Sequence, residues 1–287
     1  MLKGKTTRGS VITEIMTYFG LIAAMLVVLF PFYVAIITSV KDVLEVRGPF
    51  TWWPHTFTTT AYKLMFDANE LDINYLRALI NTLTIAVPVV LFGCLSSSMS
   101  AYIFAKQEFL GKNMMFALMM TSMMVPSVVT LIPSYLIFTA LGWVDTFLPL
   151  VVPGMFGSIS VLFALRQFMC GIPNELTDAA KIDGLGYFGT YVAIILPLSY
   201  PPIIAQAIMM FMGVYNDYMG PLLYLLSPER ETLQLSIVRL QDALRYYPEK
   251  TQVSMAYAVV MMVPLLFLYI VAQKFLAKGV MVGAVKG

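Results

Sequence analysis

The chain is punctuated by apolar runs long enough to cross a bilayer, and this limits what it can fold into more than any other feature. Roughly twenty consecutive apolar residues make a helix that spans about 30 Å of hydrocarbon. Runs of that kind start at Tyr18, Leu76, Met114, Phe147, Ile194 and Gln252, and reach about Val40, Ala105, Leu141, Phe168, Leu226 and Phe275. With no water to satisfy backbone groups in the bilayer, such runs become helices. The expected fold is therefore all-α, a polytopic membrane protein with six transmembrane helices. Composition agrees, because 12% charged residues against 59% hydrophobic ones leaves too little polar surface for a soluble domain, which carries about 25% charged residues.

These boundaries divide the chain into a tail over 1–13, a first span over 14–40, an external loop over 41–75, a five-helix core over 76–276 and a second tail over 277–287. The first run exceeds a signal-peptide core and lacks a small-residue cleavage site, so it is expected to be retained. In the first loop Trp52, Trp53, Pro54 and Tyr62 stand where interfacial aromatics would lie, and polar and acidic neighbours suggest an external amphipathic cap.

Prolines and small residues mark the spans. Ser96, Ser97, Ser98 and Ser100 in the second span read as packing residues, since small side chains let membrane helices approach closely. Pro126 and Pro133 break the third span, and a kink near Thr130 and Ser134 points to a water-lined path. Asn81, Gln206, Tyr215, Asn216 and Asp217 are polar groups on otherwise apolar spans and are candidates for the same path, with subunit packing or gating as the competing reading.

Six spans place both termini on one side. Lysine and arginine in short segments near span ends (Lys3, Lys5, Arg8, Lys106, Lys112, Arg166, Lys181, Lys274, Lys278 and Lys286) assign that side to the cytoplasm, while most acidic residues fall in the longer outer segments. A net charge of +2 is too mild for a nucleic-acid-binding chain. Two cysteines and the lone His55 supply neither a disulfide framework nor a metal site.

One polar island carries helix grammar. In Gly171-Ile172-Pro173-Asn174-Glu175-Leu176-Thr177-Asp178-Ala179-Ala180-Lys181-Ile182-Asp183-Gly184, Pro173 and Asn174 write a helix start, with Asn174 as cap. Glu175 and Asp178 put negative charge near the positive end of the dipole. Gly184 supplies a left-handed stop, giving a helix of roughly ten residues, about 15 Å long. Leu176, Ala179, Ala180 and Asp183 fall on one side of it. Gly186, Tyr187, Phe188 and Gly189 then read as a turn and a second short helix leading to Pro197.

Here the chain resembles a known family. Asp178-Ala179-Ala180, three residues, Gly184, nine residues, Ile194, one residue, Leu196-Pro197 matches the cytoplasmic loop of permeases from binding-protein-dependent ATP-driven importers, with Asp178 where the family usually has glutamate. Asn81-Thr82-Leu83, Ser100 through Lys106, Tyr215-Asn216-Asp217 and the Gly279–Gly287 tail resemble the shorter permease of maltose-type sugar importers. The resemblance implies a type I importer permease fold in the cell (inner) membrane and a partnership with a second permease, two ATPase subunits and an extracellular or periplasmic solute-binding protein. It also implies a carbohydrate substrate. Glu175, Asp178, Ala179, Ala180, Asp183 and Gly184 of the 170–194 loop, with Pro197 just beyond it, would couple the chain to the ATPase, with ATP and Mg bound by the ATPase and no cofactor in this chain.

Absences in the sequence point the same way. There is no phosphate-binding Gly-x-x-x-x-Gly-Lys-Ser/Thr loop and no His-Glu-x-x-His helix, so the chain is not expected to be an enzyme. Ionisable residues are scarce within the spans, which disfavours a carrier driven by an ion gradient. That carrier, a channel, and an importer of the same architecture for a non-sugar solute are the alternatives.

Overall fold

The computed structural model describes residues 8–66, 74–244 and 251–284, and the described residues are helical with no strand. Lys3, Lys5, Arg245 and Lys286 lie outside them. Contacts divide the chain into two units, Met1–Asp72 with Arg239–Met262, and Ile73–Val238 with Val263–Gly287.

The first unit contains α1 (Arg8–Ser39), two short helices α2 (Val43–Val46) and α3 (Thr60–Phe66), and the stretch beginning at Arg239. Within α1, Thr13–Ser39 has a mean hydropathy of 2.6 and is 6% buried, as expected of a helix whose surroundings are lipid or another chain. The expected group of four loop aromatics and prolines does not stay together. Pro54 is buried and the Tyr62 hydroxyl hydrogen-bonds the Ser39 hydroxyl at 2.8 Å, whereas Trp52 and Trp53 remain exposed.

The second unit is built on α4 (Tyr75–Lys106), a 32-residue helix that begins at Asn74, whose side chain caps the Arg77 N–H at 2.9 Å. Against α4 pack α7 (Leu148–Met155) and α8 (Ile159–Cys170), which together make one span, and α12 (Tyr200–Tyr215). The helices meet through the small residues read in the sequence. A Cβ on Gly93 would stand 2.6 Å from the Gly154 carbonyl oxygen, so the α4–α7 crossing admits nothing larger than glycine there. The serine cluster completes the contact. Ser96 Oγ donates to the Phe156 carbonyl at 2.7 Å, Ser97 Oγ accepts from the Ser158 N–H at 2.9 Å, and the Ser98 hydroxyl meets the Tyr191 hydroxyl at 2.6 Å.

Among the described residues four helical segments are long and apolar enough to span a membrane, and with each of two bent pairs counted as one span there are up to six, in line with the expectation. The bent pairs differ in detail from the expected spans. In the third span the chain turns by 95° between α5 (Lys112–Ser122) and α6 (Ser127–Ala140), at Met123–Pro126. Pro126 ends one helix and starts the other, and Pro133 is carried inside α6. The break therefore falls at Met123–Pro126, ahead of the position expected near Thr130 and Ser134, which lie within α6. Thr130 Oγ1 donates to the Ser127 carbonyl of its own helix at 2.8 Å and is exposed, and Ser134 is half-buried.

The fifth span was expected to run unbroken from Ile194 to Leu226. It starts earlier, with α10 (Tyr187–Thr190), a π-helical turn over Tyr191–Ile195 and α11 (Leu196–Leu198), and then bends by 80° into α12 at Ser199. Three prolines at 197, 201 and 202 remove the N–H groups that would have carried the helix straight through. It also ends earlier, at Tyr215, before a separate short helix α13 (Met219–Tyr224). The sixth span is continuous within α15 (Thr251–Ala284), which follows α14 (Leu233–Leu244).

Candidate functional site

The polar island folds as the sequence dictates, with one change at its start. The helix α9 covers Asn174–Ile182, nine residues, with Pro173 rather than Asn174 at the cap position. Asn174 is instead the first helical residue, and its Oδ1 accepts a hydrogen bond from Lys106 Nζ at 2.8 Å. The same ammonium donates to the Ile172 carbonyl. Lys106, the last residue of α4, thus ties the base of the loop to the longest helix of its unit. Beside it, Arg166 Nε donates to the Phe104 carbonyl at 3.1 Å and the guanidinium lies 4.1 Å from the centre of the Phe116 ring.

The stop is the predicted one. Gly184 has φ +80°, its N–H donates to the Lys181 carbonyl at 3.1 Å, and the Leu185 N–H reaches back to the Ala180 carbonyl at 2.9 Å. This pair of bonds is a Schellman closure, which satisfies two of the last carbonyls and needs a residue at ease with positive φ. No atom lies within 4 Å of the place a Gly184 Cβ would occupy, so conformation alone selects glycine there.

The loop has a buried side and an open one. Thr177, Ala180 and Thr190 are buried, and Ile172 and Tyr191, on either side of α9, belong to an apolar cluster that includes Tyr102, Phe104, Leu165, Met169 and Ile195. Of the residues expected to share one side, Ala180 faces inward, whereas Leu176, Ala179 and Asp183 are exposed. The division follows the turn of the helix, since Thr177 and Ala180 are three residues apart. The open side also carries Ile182 at 86% exposure, Tyr187 at 71% and Phe188 at 66%. In the sequence their signal is three large apolar residues, one inside the polar island and two just after Gly186. Glu175 is exposed in the first turn, and Asp178 pairs with Lys181 at 3.1 Å with both side chains more than half exposed. Pro197 lies beyond the π turn, next to the bend at Ser199.

The candidates for a translocation path stand on α4, on α6, and on α12 and the residues that follow it. Asn81 is buried, and its Nδ2 donates to the Glu229 and Glu231 carbonyls at 2.9 Å each, so the amide holds the 228–231 turn. Next to it, Thr82 Oγ1 accepts from the Leu233 N–H at 3.0 Å. Tyr215 is 1% exposed. Asn216 donates to the Met212 carbonyl at 2.8 Å and accepts from Gln234 Nε2 at 3.1 Å. Asp217 sits in the break between α12 and α13, where its Oδ1 accepts from the Gly220 N–H at 3.2 Å. It shares a small cleft with Thr82, Leu150 and Thr232. Gln206 is half-buried within α12.

At another connection of this unit, Asp145 gathers donors from a segment some eighty residues away. The Leu226 and Ser227 N–H groups donate to Oδ1 at 3.0 and 2.9 Å. The Ser227 hydroxyl and the Arg230 guanidinium, the latter at 2.9 Å, engage Oδ2. The Asp145 N–H in turn donates to the Tyr224 carbonyl at 2.7 Å. Asp145 has φ +59°, a conformation that Asp tolerates better than most residues. The Ser227 hydroxyl, then the Ser227 N–H, and also Leu226 and Arg230 hold its carboxyl well below the usual carboxylate range, against an opposing desolvation effect.

Together these features define a polytopic helical membrane protein in which the 32-residue helix α4 is latched to an exposed helical loop. The chain belongs to the family of binding-protein-dependent transport system inner membrane components, whose profile matches residues 93–282. An arabinooligosaccharides transport system permease from Halalkalibacterium halodurans is 33% identical over 207 residues, which is 72% of this chain and 73% of that one. A trehalose/maltose transport system permease from Thermococcus litoralis is 26% identical, over 98% of this chain and 99% of that one. A crystal structure of a bacterial ABC transporter involved in the import of the acidic polysaccharide alginate contains a chain of the same fold. Its TM-score is 0.83 at 19% identity, covering 95% of this chain and 99% of that one. The chain is a permease component of an ABC importer, and the family implies a partner permease, an ATPase and a solute-binding protein.

Proposed function

We propose that this chain is one of two non-identical permeases in a carbohydrate importer, with two ATPase subunits on the cytoplasmic side and a solute-binding protein on the other. Both termini and the 170–194 loop lie in the cytoplasm, as the lysine and arginine distribution supports. The substrate class rests on the relatives named for arabinooligosaccharides and for trehalose/maltose.

The observation that carries the mechanism is the construction of the loop, which is fixed at its base by Lys106 and open on the Leu176, Ile182, Tyr187 and Phe188 side. An ATPase groove that receives this face can push on it, and a latched base passes that push to α4 instead of absorbing it. The bend at Ser199 places the α10–α11 segment at an angle to α12, so movement of the loop also reaches the fifth span. This rigid-body route is the kind of coupling alternating access requires. Glu175, Asp178 and Asp183 supply exposed carboxylates for basic groups on the ATPase. ATP and Mg belong to that partner.

The experiment is purification of the tagged chain from its native membrane in mild detergent. A second permease and an ATPase should come with it, and Asp183→Lys or Gly184→Arg should release the ATPase and abolish sugar uptake while the chain stays in the membrane. Recovery of the chain alone, under conditions where a known importer stays intact, would sink the reading.

A further inference from the structure

The loop after α1 was expected to be an external cap, but its aromatic part folds back along the span it follows. Lys41 Nζ donates to the Thr51 carbonyl at 2.6 Å, and the Thr58 N–H donates to the Val40 carbonyl at 2.9 Å, so residues 51–58 leave and return at the end of α1. Between these ties the chain descends. The Trp52 ring lies 6.0 Å from the Phe30 ring, and the Tyr33 hydroxyl donates to the Trp52 carbonyl. Phe30 precedes Ser39 by about two and a half turns, or about 13 Å along the axis. Thr13–Ser39 has 27 residues, about 40 Å of helix, whereas the hydrocarbon core takes up about 30 Å. The excess is about 5 Å at each end, so the Phe30 level lies about 8 Å inside the hydrocarbon and the Trp52 ring, 6.0 Å from Phe30, falls in the upper acyl region just below the headgroups.

Side chains partner the backbone of this segment. Besides the bonds to the Thr51 and Trp52 carbonyls, the Glu45 carboxylate accepts from the Thr51 hydroxyl and, at 3.0 Å, from the His55 N–H. Irregular backbone in water needs no such arrangement, but at the edge of a bilayer each unsatisfied group is costly. Meanwhile the large apolar surfaces point outward. Phe50, Trp52, Trp53 and Phe57 are 52%, 65%, 63% and 62% exposed, and they support one another edge to face, Phe50 on Trp52 at 5.3 Å and Trp53 on Phe57 at 5.5 Å. Lys41, the nearest cation, is 4% exposed and turned onto the Phe50 ring and the Thr51 carbonyl.

From this arrangement we infer that residues 50–57 form a re-entrant aromatic loop seated in phospholipid, at the headgroup–acyl boundary of the leaflet that receives the C-terminal end of α1. The occupant of the exposed aromatic faces is lipid. Trp and Tyr rings, apolar in body and polar at one edge, favour this level of a bilayer. The loop then fixes the depth of α1, which has few contacts of its own to do so.

Trp52 and Trp53 are the only tryptophans of the chain besides Trp143, and the test uses their fluorescence. The complex purified with its partners, with the native chain or with W52F/W53F, is placed in phosphatidylethanolamine–phosphatidylglycerol vesicles. The difference emission reports these two residues alone. Lipids brominated near the carbonyl end of the acyl chain should remove most of that emission, lipids brominated near the methyl end less, and aqueous iodide little. Strong quenching by iodide without quenching by lipid would overturn the proposal in favour of an external cap, and protection from both would overturn it in favour of a protein partner. W53F alone supplies the same readout if the double variant does not assemble. Lipid quenching is independent of whether an ATPase copurifies, so the two proposals fail separately.

Discussion

The 171–185 loop and the Asp145 clasp are both connections between helices of the same unit, and they are built on opposite principles. The clasp closes on itself. One carboxylate takes donors from Leu226, Ser227 and Arg230, and the matching N–H is used by Tyr224. The 171–185 loop is secured at its base and at its stop, while its middle presents apolar side chains and an ion pair exposed on both members. The difference shows where this molecule is finished and where it awaits another chain. Bonds that return to the same unit set a shape, whereas an exposed apolar face gains its energy only on docking.

The largest effect is expected at the clasp. Asp145→Ala leaves several donors without an acceptor and should cost about 2–3 kcal/mol, read as a lower melting temperature in detergent. If it melts like the native chain, the clasp is no tighter than the loop and the contrast collapses. The pH dependence has a definite sign. The folded-state pKa of Asp145 is depressed, so its stabilisation is complete above the unfolded carboxyl value, about 3.9, and is lost as pH falls through that value toward the folded one. The native chain should lose stability in that acid window, and Asp145→Asn should lack that component.

Lys106→Met comes next. It removes the donor to Ile172 and Asn174 and should cost about 1–2 kcal/mol, with faster hydrogen exchange concentrated in 172–185. Exchange that rises evenly over the unit would mean that Lys106 is not a latch. Gly184→Ala should cost about 1 kcal/mol, because positive φ is strained for alanine although the site has room. Asp178→Asn should be the smallest in stability, under about 0.5 kcal/mol, since its pair with Lys181 is solvent-screened. A large fall in uptake with unchanged melting would show that the carboxylate acts on a partner.

The parts of the site that were legible beforehand are the parts that act over short distances along the chain. The α9 stop and the glycine requirement at 184 follow from residues within one or two turns. The start of α9 was misread because Asn174 had a competing donor in Lys106, 68 residues away, that local grammar cannot weigh. Asn81 stood between a path role and a packing role for the same reason. On a helix it is a polar group with no partner in view, and in the folded chain its amide serves carbonyls 148 and 150 residues away.

Read alone, the amino-acid order sets that the chain crosses a membrane as helices, about how many times it does so, and where the helix of the 171–184 loop stops. In hydrocarbon a continuous apolar run of about twenty residues satisfies its own backbone groups as a helix, and the spacing of caps and glycines is local. Only the tertiary structure decided that two spans are bent by 95° and 80°, that the loop after α1 turns back along it, and which polar residues are struts. Each of those outcomes depends on which distant donor meets which acceptor, and so on packing between helices that no window of sequence contains.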